Sequence, residues 1–297
     1  MLLLISAVLG VCLLSSGLLA VWVDQPPAPI KALQRDSQLA SLHHVWYASV
    51  ATYASSIRHP LSSGNIVEEQ AWAYLDIARR NASVVCETGF WKGVSAHLWL
   101  TADESVQLHS FDTDFPRTSV NALRAQFGGS RLHMHKGSTR ATLPRFRPPA
   151  PCDIVSIDAS HDGWEPYHDL MELLPHARCG AHVLFDDTFD DRRVNASLDN
   201  DPWHLRSFYN ACTRSYWQLV REGKLAHVGC IDLGRWPRYG KFPKGFCHAR
   251  TLCAPRAGGD ATRAAKWRTA TPRAAKRAQN APSGRVKRAS RLRQSPS

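Results

Sequence analysis

Short apolar runs alternate with amphipathic segments through the middle of the chain, and they predict strands of a sheet separated by helices. All five runs end in a polar residue, and all except 131–136 contain β-branched or aromatic residues; the runs are 84–87, 106–112, 131–136, 152–158 and 181–187. Two later segments, 225–232 and 243–249, have no convincing helix between them and predict an antiparallel hairpin at one edge. The pattern therefore predicts an α/β fold with a doubly wound, mostly parallel, seven-stranded sheet.

Helical periodicity fills the intervals between the predicted strands. Two amphipathic segments precede the first strand, and we expect these N-terminal helices to pack on the sheet or to cap a ligand site. The predicted helices are 36–58, 64–80, 117–127, 164–176 and 201–222.

The segment 84–96 predicts a strand, a tight glycine turn and the N-terminus of a helix. Gly89 would allow the sharp turn, and Gly93 would allow the backbone to approach a ligand closely. Open α/β sheets bind nucleotide-like ligands with this arrangement. The spacing is E-x-G-x-x-x-G, followed by Ser95, and differs from the G-x-G-x-x-G of nicotinamide sites. Taken alone, the turn is equally typical of an ordinary connection between a strand and a helix.

Acidic residues close four of the predicted strands, namely Glu87, Asp112, Asp158 and the pair Asp186 and Asp187. Because ligands of such sheets bind beyond the carboxyl ends of the strands, these carboxylates should surround one crevice. Carboxylates this close together repel one another, so we expect ligand hydroxyls, an amino group or a divalent cation to stabilise them. Asp112 is placed to accept hydrogen bonds from a ribose diol.

A cation site with a neighbouring base is predicted at the fourth and fifth strands. Asp158, Asp186 and Asp187 offer hard oxygen ligands suited to Mg²⁺ or a similar divalent cation. His161 lies three residues beyond Asp158, and its near-neutral pKa suits a general base. The alternative for His161 is a polar loop residue without a chemical role.

Residues 84–187 resemble a class I S-adenosylmethionine-dependent methyltransferase, and within that superfamily the metal-dependent O-methyltransferases. The first motif matches Val-Cys-Glu87-Thr-Gly89-Phe-Trp-Lys-Gly93-Val-Ser95-Ala, and the ribose-binding second strand matches Ser-Phe-Asp112. The fourth strand matches Asp153-Ile-Val-Ser-Ile-Asp158-Ala-Ser-His161, and the metal-binding end of the fifth matches Ala181-His-Val-Leu-Phe-Asp186-Asp187-Thr188. Catechol and caffeoyl-coenzyme A methyltransferases carry a Lys at the position of His161, so the pattern is more similar to macrolide-sugar O-methyltransferases.

The resemblance implies a Rossmann-like methyltransferase fold and a bound S-adenosyl-L-methionine. It assigns cofactor contacts to a set of residues that comprises Glu87, Gly89, Gly93, Ser95, Asp112, Ser138 and Asp158. It also implies that a divalent cation lowers the pKa of an acceptor hydroxyl on a small molecule or sugar, and that His161 removes its proton. Ser138 stands where many relatives place an acid that contacts adenine. The alternatives are a catalytically idle cofactor-binding protein, or a metal-independent methyltransferase with a non-oxygen acceptor.

The positive charge of the chain is concentrated at its C-terminus. Of the formal net charge of +12, residues 255–297 carry +11, from twelve Lys and Arg against one acid, which leaves +1 for residues 1–254. A nearly neutral folded part argues against a nucleic-acid groove on the domain. The tail is poor in apolar residues, so we expect it to be disordered and, at most, to bind an acidic partner weakly.

Residues 1–23 contain no charged side chain and predict a signal peptide or a signal anchor. Asn81 and Asn195 both begin glycosylation triplets, and Cys212, Cys230, Cys247 and Cys253 could form two disulfides in any of three pairings. These features favour a lumenal, membrane-anchored or secreted protein of the secretory pathway. Lys31 and Arg35, after the apolar run, point mildly to a cytosolic domain.

The predicted organisation has four parts. Residues 1–23 form the apolar segment, the Pro-rich residues 24–35 a linker, residues 36–254 the methyltransferase domain and residues 255–297 the basic tail. Cys86, within the first strand, is expected to be a small core residue.

Overall fold

The computed structural model describes residues 32–57, 66–190, 203–235 and 243–252. The strands are β1 (Val84–Thr88), β2 (Gln107–Asp112), β3 (Leu132–Lys136), β4 (Cys152–Ile157), β5 (Ala177–Asp186), β6 (Leu225–Arg235) and β7 (Pro243–Thr251). The helices are α1 (Ser37–Ser56), α2 (Glu68–Asn81), α3 (Val94–Ala102), α4 (Arg117–Phe127), α5 (Thr139–Thr142), α6 (Glu165–Leu173) and α7 (Trp203–Arg221). Three 3₁₀ turns lie at Gly129–Arg131, Leu143–Arg145 and Leu174–His176.

The seven strands form one sheet in the order β3-β2-β1-β4-β5-β7-β6. Strands β1 to β5 pair in parallel, and β7 runs antiparallel to both β5 and β6. The predicted doubly wound sheet with an antiparallel edge hairpin is confirmed. The strand order reverses between β1 and β4, which is the position where open α/β sheets bind their ligands.

Helices cover both faces of the sheet. On one face, α1, α2, α3 and α4 bury a core that includes Leu39, Leu75, Trp99 and Leu123. On the other face, α6 and α7 pack through residues such as Leu170 and Tyr216 against β4 and β5. Burial on both faces accounts for the nearly continuous apolar sequences of β1 and β4.

Local interactions set the ends of several elements. Asp36 caps α1, because its Oδ1 accepts hydrogen bonds from the backbone N–H groups of Gln38 and Leu39 at 3.0 Å. Strand β5 begins at Ala177, four residues before the predicted start at 181. Its first residues are largely exposed and Gly180 has a φ of +76°, so no apolar pattern marks this end of the strand.

Disulfide bonds link strands within the sheet. Cys86 of β1 is bonded to Cys152 of β4, and Cys230 of β6 is bonded to Cys247 of β7. Cys86 is fully buried in the core, as predicted, and the structure adds its bond to Cys152, because periodicity marks a buried position without showing what lies beside it. Cys179 is also disulfide-bonded, and Cys212 is buried in α7.

Several predicted features lie outside the described residues: the apolar segment 1–23, most of the linker 24–35, the triplet at Asn195, Cys253 and the tail 255–297. Within the described ranges, none of the helices combines the length and the apolar character needed to cross a bilayer.

Candidate active site

A glycine turn connects β1 to α3 at the carboxyl edge of the sheet. Gly89 has a φ of +91°, and its N–H donates to the carbonyl of Phe111 at 2.9 Å. A Cβ at this position would overlap the carbonyl oxygen of Asp158 and lie 2.6 Å from its carbonyl carbon. The absence of a side chain at Gly89 thus allows the end of β1 to lie directly against the end of β4.

Gly93 ends the turn with a φ of +76° and precedes the first residue of α3. A Cβ there would lie 2.7 Å from Phe90 Cζ and 2.8 Å from the Tyr53 hydroxyl oxygen. The sequence suggested that Gly93 lets a ligand approach the backbone, whereas the structure shows it packed against side chains of the protein itself.

Asp112, at the end of β2, binds the backbone of the glycine turn. Its Oδ2 accepts hydrogen bonds from the N–H groups of Phe90 at 2.7 Å and Trp91 at 2.9 Å. Its Oδ1 accepts from the Thr113 hydroxyl and from the N–H of Asp114. These bonds fix the turn while Trp91, at a φ of +46°, leaves its side chain 61% exposed. The Thr113 hydroxyl can rotate away, which would free one acceptor position for a ligand.

Glu87 lies beneath the crevice, fully buried. Trp99 Nε1 donates to its Oε2 at 3.0 Å, and the Ser110 hydroxyl donates to its Oε1 at 2.8 Å. Burial raises the pKa of Glu87 to about 7, although hydrogen bonds from Ser110, Ser95 and Trp99 act in the opposite direction. The Glu87 carboxyl group thus links β1 to β2 and to α3.

Asp158, His161 and Asp187 come together beyond the ends of β4 and β5. His161 Nε2 lies 3.3 Å from Asp158 Oδ1, and His161 Nδ1 lies 3.5 Å from Asp187 Oδ2. One ligand atom from each residue lies within 4.8 Å of the other two. The side chains of His161 and Asp187 are buried, whereas that of Asp158 is 38% exposed, so the group opens to solvent at Asp158.

The two carboxylates control the protonation of His161. Burial disfavours the charged ring, but the hydrogen bond to Asp158 and the negative charges of Asp187, Asp158 and Asp186 outweigh it and raise the pKa of His161 above its ordinary value. An imidazole between two carboxylates is suited to accept a proton and to hold it.

The same donor set fits a divalent cation. Carboxylate oxygens are the preferred ligands of Mg²⁺ and Mn²⁺, and an imidazole nitrogen suits the transition-metal members of the series. Asp158, Asp187 and His161 therefore offer ligand types that match Mn²⁺ as well as Mg²⁺.

Asp186, the third predicted cation ligand, is contacted by α2. Gln70 Nε2 donates to Asp186 Oδ1 at 2.9 Å and lies at the same distance from the Tyr74 hydroxyl. Asp187 has left the strand with a φ of +47°. The sequence prediction placed Asp186 in the cation site, but the structure brings His161 into the group and leaves Asp186 against Gln70.

Ser138, predicted to contact adenine, lies exposed between β3 and α5. Its backbone carbonyl accepts a hydrogen bond from the Thr142 hydroxyl at 3.0 Å, and its side chain makes no capping bond to α5. Ser138 thus lies at the carboxyl edge of the sheet, beyond β3, as Asp112 does beyond β2.

Known proteins resemble the part of the chain that contains this arrangement. A family model described as a methyltransferase domain matches residues 86–188, which extend from the middle of β1 to the residue after Asp187. Residues 86–188 therefore resemble a methyltransferase domain. Among curated proteins, none matches the chain.

Solved structures resemble residues 86–188 and the elements around them. TomG from Streptomyces achromogenes, an O-methyltransferase involved in tomaymycin synthesis and solved in complex with SAM, is 20% identical, with a TM-score of 0.53; the match covers 73% of this chain and 91% of that chain. The cofactor-bound protein Rv0187 from MTB is also 20% identical, with a TM-score of 0.53 and coverage of 69% of this chain and 89% of that chain. At this level of identity, the likeness establishes the fold.

Gln70, which donates a hydrogen bond to Asp186, is the residue near the candidate site that the sequence did not predict. It lies on the face of α2 that also carries Val67, Ala71 and Tyr74, and it is 1% exposed. A polar residue inside an apolar stripe of a helix is the signal that could have identified it, since buried amides require partners. Nothing in the sequence indicated that the partner is Asp186.

Proposed function

We propose that this protein is an S-adenosylmethionine-dependent methyltransferase that methylates a hydroxyl group of a small molecule or sugar with the help of a divalent cation. The observation that carries the proposal is the convergence of Asp158, His161 and Asp187 beside the glycine turn, within the segment that resembles a methyltransferase domain. A domain that only bound the cofactor would not need a histidine between two carboxylates at this edge.

The cofactor would lie across the carboxyl ends of β1, β2 and β4. S-adenosylmethionine supplies an electrophilic methyl group when bound. Asp112 would accept from the ribose hydroxyls after the Thr113 hydroxyl rotates, and the turn from Gly89 to Gly93 would contact the methionine part. Glu87 and Ser95 would support that turn, while Ser138 and Asp158 would border the adenine and the methyl-transfer region. TomG, with which the chain shares its fold, was solved in complex with SAM.

Asp158 and Asp187 would hold the cation, and His161 would take the proton of the acceptor hydroxyl. A bound Mg²⁺ or Mn²⁺ supplies Lewis acidity that lowers the pKa of a hydroxyl. In the tautomer in which Nε2–H donates to Asp158, Nδ1 of His161 would carry the lone pair that receives the proton. The imidazolium that results lies between two carboxylates, which stabilise it.

The test is transfer of a labelled methyl group from S-adenosylmethionine to a panel of catechols and glycosides, with Mg²⁺ or Mn²⁺ and with chelator. We expect transfer that depends on the cation. Cofactor binding without transfer to any acceptor would favour an idle binding protein. Transfer that persists in chelator, or that reaches only nitrogen or sulfur acceptors, would contradict the role of the cation.

We also propose that the domain matures in the secretory pathway, with its N-terminal segment as signal or membrane anchor. Disulfides at Cys86–Cys152 and Cys230–Cys247 support this, because disulfides persist mainly in oxidising compartments. Asn81, which begins a glycosylation triplet, is exposed at the end of α2. We also propose that the basic tail 255–297 binds an acidic partner weakly.

Localisation is tested with the full chain expressed in eukaryotic cells. We expect glycosidase treatment to increase its gel mobility, and Asn81→Gln to remove part of that shift, because only a lumenal domain is glycosylated. Asn121→Gln, an exposed asparagine on α4 outside any acceptor triplet, is the matched control. A mobility that glycosidase leaves unchanged, together with free thiols at Cys86 and Cys152, would place the domain in a reducing compartment.

A further inference from the structure

An exposed tryptophan follows His161 in the loop between β4 and α6. Trp164 is 41% exposed, whereas His161, three residues earlier, is buried against Asp158 and Asp187. Gly163, with a φ of +53°, lies between them. Three residues of chain span at most about 10 Å, so the backbone of Trp164 lies within that distance of the backbone of His161.

Arg214 of α7 fixes the indole from one side. Its guanidinium carbon lies 4.2 Å from the centre of the Trp164 ring, and its Nη2 donates to the carbonyl of Gly163 at 2.8 Å. Tyr167 meets the ring edge-on, with the ring centroids 5.7 Å apart. Arg214 therefore covers one face of Trp164, Tyr167 packs perpendicular to the indole, and 41% of the residue remains exposed to solvent.

We propose that the face of Trp164 opposite Arg214 is the stacking surface for a pyranose ring of the methyl acceptor, an inference that rests on the function proposed above. A sugar ring presents a face of C–H groups to an indole and keeps its hydroxyls at the rim. The exposed carboxylate of Asp162, two residues before Trp164, is available to accept hydrogen bonds from hydroxyls at that rim. A flat aromatic acceptor would instead favour a closed apolar slot that covers both of its faces.

The test measures binding by saturation-transfer-difference NMR on the full chain with S-adenosylmethionine and Mg²⁺. The probes are methyl α-D-glucopyranoside and methyl α-D-mannopyranoside, with 3,4-dihydroxybenzoate as the aromatic comparison. We expect Trp164→Ala to raise the dissociation constant of the glycosides roughly tenfold, the size of effect that loss of an aromatic contact produces. Trp164→Phe should restore most of the affinity, and Tyr47→Ala, which removes an exposed aromatic residue of α1, should leave it unchanged.

Different results of this experiment would contradict the sugar-stacking surface and the proposed function. Wild-type protein that binds S-adenosylmethionine but neither glycoside overturns the sugar surface, as does equal glycoside binding by Trp164→Ala. Binding of 3,4-dihydroxybenzoate alone, lost in Trp164→Ala, would assign the surface to aromatic acceptors and overturn the inference. Wild-type protein that fails to bind S-adenosylmethionine overturns the proposed function, whereas glycoside binding that depends on Trp164 would still support the surface.

Discussion

Gly89→Ala is expected to destabilise the protein by more than about 4 kcal/mol, which is comparable to the whole stability of many domains. The new Cβ would overlap the backbone carbonyl oxygen of Asp158. That carbonyl cannot retreat easily, because the N–H of Asp158 donates to the carbonyl of Thr88 at 3.0 Å. The left-handed φ of +91° adds a further cost of about 1–2 kcal/mol for any residue with a side chain.

The measurement is equilibrium unfolding in urea, with Gly223→Ala as the matched control. Gly223 also has a positive φ, of +67°, but a Cβ there would meet nothing within 4 Å. We expect Gly223→Ala to lower the free energy of unfolding only by the cost of the left-handed backbone conformation, about 1–2 kcal/mol. Equal stabilities of the two variants would mean that β1 and β4 do not pack at Gly89 as described.

Asp187→Asn is expected to lower cation-dependent methyl transfer at least a hundredfold while the protein stays folded. Loss of residues that merely support metal ligands costs 10- to 100-fold, so loss of a ligand should cost at least as much. Asparagine has nearly the same shape and tolerates the left-handed φ of +47° at this position. The removal of a carboxylate 3.5 Å from His161 Nδ1 should also lower the pKa of the imidazole.

The assay compares initial rates of labelled methyl transfer at saturating S-adenosylmethionine, with the unfolding transition as a check on folding. Asp114→Asn is the control for loss of one negative charge, because Asp114 is exposed and pairs with Lys136 at the surface. Asp186→Asn should reduce the rate far less than Asp187→Asn, since its Oδ1 can still accept from Gln70. A larger effect at Asp186 than at Asp187 would restore the ligand assignment predicted from the sequence.

The sheet was predictable because burial on both faces leaves apolar runs that no turn or amphipathic helix imitates. The acids at the strand ends were predictable for the same reason, since Glu87, Asp112, Asp158 and Asp186 each directly follow an apolar residue of such a run. The directions in which these acidic side chains point were not predictable from the sequence. Asp186 and Asp187 are adjacent in sequence, and only the turn at Asp187 and the amide of Gln70 decide that one faces His161 and the other faces α2.

Contacts between distant segments account for the other differences. The Cys86–Cys152 bond joins two strands 66 residues apart, and no spacing rule pairs them. Gly93 fits the pattern of a ligand-binding turn, yet Phe90 and Tyr53, the latter from a helix 40 residues earlier, occupy the space that a side chain at this position would need. The sequence shows Trp164 only as one of ten tryptophans. Its environment depends on Arg214, 50 residues later, which covers one side of the indole.

Asp158 and Asp187 are proposed to hold a cation that serves methyl transfer, with His161 as the neighbouring base. The most direct test is a titration of the full chain with Mn²⁺, in which electron paramagnetic resonance measures the free ion. We predict one Mn²⁺ bound per chain in the wild type, binding weakened at least a hundredfold in Asp187→Asn, and binding retained in Asp114→Asn. Equal Mn²⁺ binding by the wild type and Asp187→Asn, or no binding by either, would contradict the account.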